Sequence, residues 1–306
     1  MDVDTFSLKK RCLPVGAARV AYYEEGTGEL VVLLHGCPFS SYIWRKIIPR
    51  LSTQHRCLAP DLLGLGDTET PAHTDWSLPA QEAMVVGWLD ALGITQAHVV
   101  GHDHGGAVAQ LLAAHHPERI KRLVLSNAEA YDNWPSAEER PLVRLTQVPL
   151  VGTLFLWAYG STLGTRVVLS IGQAVKHKAV LTDELIKGYV RANTSDAHRR
   201  AKTARFLAGQ FDPANNRCTL EALEGLRRFD HPTLLLWGAD DPHFGPAWAE
   251  RLRLDIPGVT RLELLPNTGH LLMEERPETF ATHLLTFLSA TTSELKSPRA
   301  AGDRET

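Results

Sequence analysis

Cysteine is scarce. The four present in 306 residues (Cys12, Cys37, Cys57 and Cys218) form no C-x-x-C pair, so neither a disulfide framework nor a zinc site is indicated, and a reducing compartment is the simpler setting. An excess of one charge sign is lacking as well. The formal net charge is -3 and, apart from short pairs such as Arg199-Arg200 and Arg227-Arg228, the Lys and Arg residues are scattered. No polyanion-binding surface is marked, and nucleic acid is a poor fit. The longest apolar run, VPLVGTLFLWAYG at 148–160, carries two glycines and is too short to span a bilayer. The opening MDVDTFSLKK lacks the apolar stretch of a secretory signal. No internal repeat stands out, and no His, Cys, Asp or Glu set has metal-ligand spacing. These absences lead to the expectation of a cytoplasmic protein with neither a membrane nor a nucleic-acid partner.

What is present is a core-forming composition, 44% hydrophobic and 22% charged, enough for one large domain or a core with an inserted unit. Short apolar runs ending in glycine or polar residues recur at 30–36, 56–62, 97–103, 122–128, 233–240 and 261–267. They read as buried parallel strands. Between them lie helical patterns such as SYIWRKIIPRL, AQEAMVVGWLDALG, GAVAQLLAAHHPERI and PETFATHLLTFLSA, with stop signals at Gly93 and Pro117. The alternation implies a doubly wound α/β sheet, in which ligands sit beyond the carboxyl ends of the strands. It breaks across 131–227, where helical pattern continues without a convincing strand. The expected organisation is a core of 1–130 and 228–293, a helical cap of 131–227 over the strand ends, and a disordered tail at 294–306.

GHDHGG at 101–106 follows a strand run and opens a helical one, the setting of a nucleophile elbow, but with Asp103 where serine is usual. An aspartate there is also a good helix N-cap. Downstream, Asp240 and Asp241 follow one strand run, and His270 follows the last, just after Gly269. Nucleophile, acid and histidine thus fall in an order this kind of turn uses.

HGCPFSSYIWR (35–45), DLLGLGDTETP (61–71), GHDHGG, WGADDPHF (237–244) and NTGHLLMEE (267–275) together resemble the α/β-hydrolase superfamily, specifically its aspartate-nucleophile branch of haloalkane dehalogenases and epoxide hydrolases. The resemblance implies an α/β-hydrolase fold with Asp103 as nucleophile, His270 as base and Asp241 as the acid that orients it. Asn127, 24 residues after Asp103, stands where some members carry their acid, and Glu129 is the fallback. The backbone N–H groups of Cys37 and His104 would form the oxyanion hole.

Such chemistry explains the aspartate. An sp3 electrophile would turn a serine into an ether that water does not readily cleave, whereas aspartate gives an ester that His270 and water can hydrolyse. The expected reaction is dehalogenation of a small haloalkane or haloacid, with epoxide hydrolysis as the alternative and a non-catalytic ligand-binding protein as the remote one. The partners are then a small apolar electrophile and water, and no cofactor is required. His104, Trp134, Trp157, Tyr159, Tyr189 and Phe206 are the expected pocket residues, with Phe211 beside them. His104 departs from the family, whose dehalogenases commonly place a tryptophan after the nucleophile.

Overall fold

The computed structural model describes residues 1–137, 140–145, 147–171, 174–210, 212–291 and 294. Phe211 and the expected tail from 295 onward lie outside the described residues. Eight strands form one sheet in the order β1-β2-β4-β3-β5-β6-β7-β8. They are β1 (Arg11–Val15), β2 (Ala18–Glu25), β3 (Glu29–Leu34), β4 (His55–Pro60), β5 (Ala97–Asp103), β6 (Ile120–Ala128), β7 (Thr233–Gly238) and β8 (Val259–Leu265). β2 is antiparallel to both β1 and β4, and every other neighbouring pair is parallel.

Both faces of the parallel part are covered, which is why its strands read as continuous apolar runs. Alternate residues feed separate cores: Val32, Leu34, Val99, Leu125, Leu235 and Trp237 pack on one face, and Val31, Leu33, Val100, Val124, Leu234 and Leu236 on the other. The hairpin β1–β2 was not among the expected strands. β1 is largely exposed at the sheet edge, so it lacks the buried-run signature, and the turn joining it to β2 is carried by Gly16 at φ +55°.

Between β6 and β7 the described residues contain helices and no strand. Three of these helices begin on aspartate or threonine caps: Thr182 accepts from the Leu185 N–H at 3.2 Å, Asp196 from Arg199 at 2.8 Å and Asp212 from Ala214 at 2.9 Å. The helices Asp183–Asn193 and Ala197–Gly209 reach the carboxyl ends of β3 and β4. Asn193 donates to the Pro38 carbonyl, and Arg199 donates to the Gly66 carbonyl at 3.1 Å and to Asp67 at 2.7 Å. The helix Pro213–Leu226 instead packs flat on the core helix His104–His115, where a Cβ on Gly225 would run into Ala114. The chain therefore rejoins the layers of the core before residue 227. Among the described residues no helix is long and apolar enough to cross a membrane.

Candidate active site

β5 turns directly into the helix His104–His115, and the residue at the corner is Asp103, with φ 55° and ψ -125°. A non-glycine residue in this region costs on the order of 1–3 kcal/mol and persists only where its surroundings enforce it. The surroundings do so by close approach. A Cβ on Gly105 would run into the carbonyls of Leu34 and His35, and one on Gly36 into Oδ1 of Asp103. The corner therefore pushes the carboxylate against the loop after β3.

Each oxygen of that carboxylate has its own neighbour. Oδ1 accepts the Cys37 N–H at 2.6 Å, while Oδ2 lies 3.4 Å from Nε2 of His270. On the other side of the ring, Nδ1 donates to Oδ2 of Asp241 at 2.9 Å. Asp241 is braced in turn: Oδ1 accepts the His243 N–H at 2.8 Å, and Oδ2 also accepts from the Asn127 amide. Asn127 is itself oriented by accepting the Gly238 N–H at 2.9 Å. Asp240 turns outward to Lys176 at 3.1 Å.

Asp103, Asp241 and His270 are all buried. Burial opposes each charge, but His270 and the hydrogen bonds overcome it and hold Asp103 below the usual carboxylate range and Asp241 at about 2. Burial likewise disfavours the His270 cation, yet the Asp241 charge and the bonds to Asp103 and Asp241 push it up to about 10. The resting arrangement at neutral pH is an imidazolium between two carboxylates.

Of the expected pocket residues, Trp134 and Phe206 are buried in the same apolar cluster as Cys37. The Trp134 indole donates to Gln210 at 2.9 Å, and its ring meets Phe244, which in turn lies 5.6 Å from the His270 ring. Tyr159 is buried near Cys37, and desolvation pushes its phenol well above its ordinary range. Two expectations are corrected. Trp157 is 66% exposed, on the outward face of the helix Val151–Tyr159. The Tyr189 hydroxyl is taken by Glu274 at 3.1 Å, beside the Arg45–Glu274 ion pair, so the two tyrosines do not present hydroxyls to Asp103 together.

Glu129, the fallback acid, is also placed differently. Its Oε2 lies 2.8 Å from Nδ1 of His104, and its backbone N–H bonds the Asp103 carbonyl at 3.1 Å. It therefore serves the residue after the nucleophile, with Asp241 on His270. His243, Phe244 and the bracing function of Asn127 were missed by sequence reasoning. WGADDPHF carried the first two, but nothing in their spacing says that one would present its N–H to Asp241 and the other its ring to His270. A surface groove of about 690 Å³ between residues 67–76 and the helix Ala197–Gly209 includes none of Asp103, His104 or His270 in its lining. The buried chain of acid, histidine and acid is the better site, because only it pairs a nucleophile with a base.

Known proteins share the fold that carries this site. The model of the alpha/beta hydrolase fold family matches residues 29–277. Haloalkane dehalogenase 2 of Mycobacterium tuberculosis is 27% identical over 301 residues, covering 93% of this chain and 96% of its own. Epoxide hydrolase 4 of Mus musculus is 27% identical over 264 residues, covering 81% and 70%. The crystal structure of an ancestral haloalkane dehalogenase superposes with a TM-score of 0.75 at 28% identity, over 93% of this chain and 99% of its own. With strand order, elbow and family model in agreement, the chain belongs to the alpha/beta hydrolase family.

Proposed function

We propose that this protein hydrolyses small electrophiles at sp3 carbon through a covalent ester on Asp103. The observation that supports it is the division of labour between the Asp103 oxygens, one bonded to the Cys37 N–H and the other beside His270. Oδ2, outside the N–H cradle, attacks the carbon and expels the leaving group. Water then attacks the ester carbonyl, and the charge that develops on Oδ1 is met by the Cys37 N–H, with the His104 N–H beside it.

Alkylation also prepares the base. Esterification removes the charge of Asp103, one of the two anions that keep His270 protonated. With that support gone the imidazolium releases its proton more readily, and the neutral ring can take one from water. Asp241 keeps Nδ1 oriented throughout. Helices of the segment between β6 and β7 act as a cap, and Trp134 and Phe206 give it an apolar underside suited to a small hydrophobic substrate.

Dehalogenation is the first reading of the substrate, supported by the haloalkane dehalogenase relatives and by HGCPFSSYIWR. Epoxide opening is the second, favoured by the histidine that follows the nucleophile. His270→Gln is the test, since it removes the base for hydrolysis while leaving Asp103 able to react. Intact mass after incubation with haloalkanes, haloacids and epoxides, followed by peptide mapping, is expected to show an adduct on Asp103. Substrate minus halide identifies displacement, and the whole epoxide identifies ring opening. Absence of any adduct with all three panels would defeat the proposal.

A further inference from the structure

The group that leaves must be stabilised, and the side chain after the nucleophile is well placed to do it. Here that side chain is His104, 1% exposed. Its Nδ1 is bound to Glu129, while Nε2 is buried with no hydrogen-bond partner among the described residues, as is Oε1 of Glu129. The ring stands at right angles to Phe206, 5.3 Å away on the helix that overlies the strand ends, so it faces the cap side of the site. An unpaired buried nitrogen there is destabilising unless something binds it.

Apart from the Tyr159 hydroxyl, which is buried near Cys37, the other expected pocket donors are committed elsewhere. The Trp134 indole bonds Gln210 and the Trp76 indole bonds Thr70 at 3.2 Å, Trp157 lies at the surface, and the Tyr189 hydroxyl bonds Glu274. His270 bonds the attacking oxygen of Asp103. In-line displacement puts the leaving atom on the far side of the carbon from that oxygen, away from His270.

We propose that His104, held by Glu129, is the acid that protonates a leaving oxygen, which favours the second reading of the substrate, a small strained cyclic ether opened by Asp103, over halide displacement. The inference rests on Asp103 being the nucleophile. Burial raises the Glu129 carboxyl above its ordinary range against the opposing pull of His104, and the nearby Asp103 charge adds to the rise. In the proposed acid the pair holds two protons, one between Nδ1 and Oε2 and the other on Nε2.

Ring opening forms the Asp103 Oδ2–carbon bond and breaks the ring carbon–oxygen bond, whose electron pair takes the Nε2 proton. Asp103 loses its negative charge in the same step in which the His104–Glu129 pair gains one, so the buried site keeps its net charge. Hydrolysis restores the start. The His270 imidazolium passes its proton to the pair, water then adds its oxygen to the ester carbonyl and its proton to His270, the acyl–oxygen bond breaks, the departing alkoxide takes the His270 proton, and the proton left on the Asp103 acid passes to His270, leaving carboxylate and imidazolium as at rest. The sum is ether plus water giving a diol. A halide would need no proton and would leave the Glu129 side of this pair without a task. The charged and titratable neighbours that bear on the pair are Asp103 and His35.

The test compares 1,2-epoxyhexane with 1-bromohexane as matched probes on His270→Gln, reading alkylation of Asp103 by intact mass against time and pH. Adding His104→Phe is expected to slow alkylation by the epoxide about 10²- to 10⁴-fold and that by the bromide far less. Glu129→Gln, which keeps the size of the side chain, should shift the pH profile of the epoxide reaction alone. Deuterium oxide should slow only the epoxide reaction. If both probes slow equally in both variants, or if only the bromide labels Asp103, His104 is not the acid although Asp103 remains the nucleophile. If neither probe labels Asp103 before His104 is changed, both readings fall.

Discussion

Asp241→Asn removes one charge and almost no volume, yet the surrounding donors make it a severe change. Three groups converge on this carboxylate: Nδ1–H of His270 at 2.9 Å, the His243 N–H at 2.8 Å and the Asn127 amide. A carboxylate accepts all of them, but a carboxamide has one accepting oxygen, and its NH2 must face a donor. Either the His243 N–H is left unpaired or the new NH2 meets His270 and Asn127. An orphaned buried donor costs about 1–3 kcal/mol, so the variant is expected to fold with reduced stability.

Its larger effect falls on the second chemical step. Without the Asp241 charge the imidazolium loses its main support, and an amide NH2 opposite Nδ1 would favour the tautomer that places the proton on Nε2, where it cannot accept one from water. The corresponding loss in a serine hydrolase is about 10⁴-fold. Single-turnover mass measurements would separate the steps. Asp103 should still be alkylated, while breakdown of the ester slows by about 10³- to 10⁴-fold. Ester breakdown within a few-fold of the wild-type rate would refute the reasoning, and would mean that Asp241 does not orient the base.

Stability should peak near pH 6.5. Burial above all holds His35 and His98 down to about 4 and His102 to about 3. Below ~6.5 the unfolded chain binds protons that these three refuse when folded, so each removes about 1.4 kcal/mol per pH unit as the pH falls toward its folded value. His270 acts in the opposite sense: its contribution is complete below the unfolded value of ~6.5 and is lost as the pH rises through about 10. Urea melts between pH 4 and 10 would show the peak, and stability still climbing from pH 7 to 9 would contradict it. Glu274→Gln leaves the buried Arg45 guanidinium without the carboxylate that it bonds at 3.0 Å, and breaking such a pair costs about 3–5 kcal/mol. Lys46 and Tyr189 share Glu274, and a change in the urea midpoint equivalent to less than ~1 kcal/mol would refute this cost for the buried pair.

Much of the architecture was legible because parallel strands buried on both faces announce themselves as apolar runs. The expected strand at 97–103 coincides with β5, and the runs at 30–36 and 56–62 differ from β3 and β4 by a residue or two at their ends. The exposed β1 carries no such mark. Helical pattern between β6 and β7 was equally readable, but not that its final helix would pack on His104–His115.

The residue types of the site and the turn that exposes Asp103 were determined by the sequence itself, since glycine spacing and strand-to-helix order are local properties. Which acid meets which histidine was decided only in the tertiary structure. Asp241 and Glu129 are both carboxylates near strand ends, yet the first bonds His270 and the second His104. Trp157 and Tyr159 sit two residues apart on one helix, one at the surface and one buried, because helical periodicity separates their directions but does not say which direction the rest of the protein will cover.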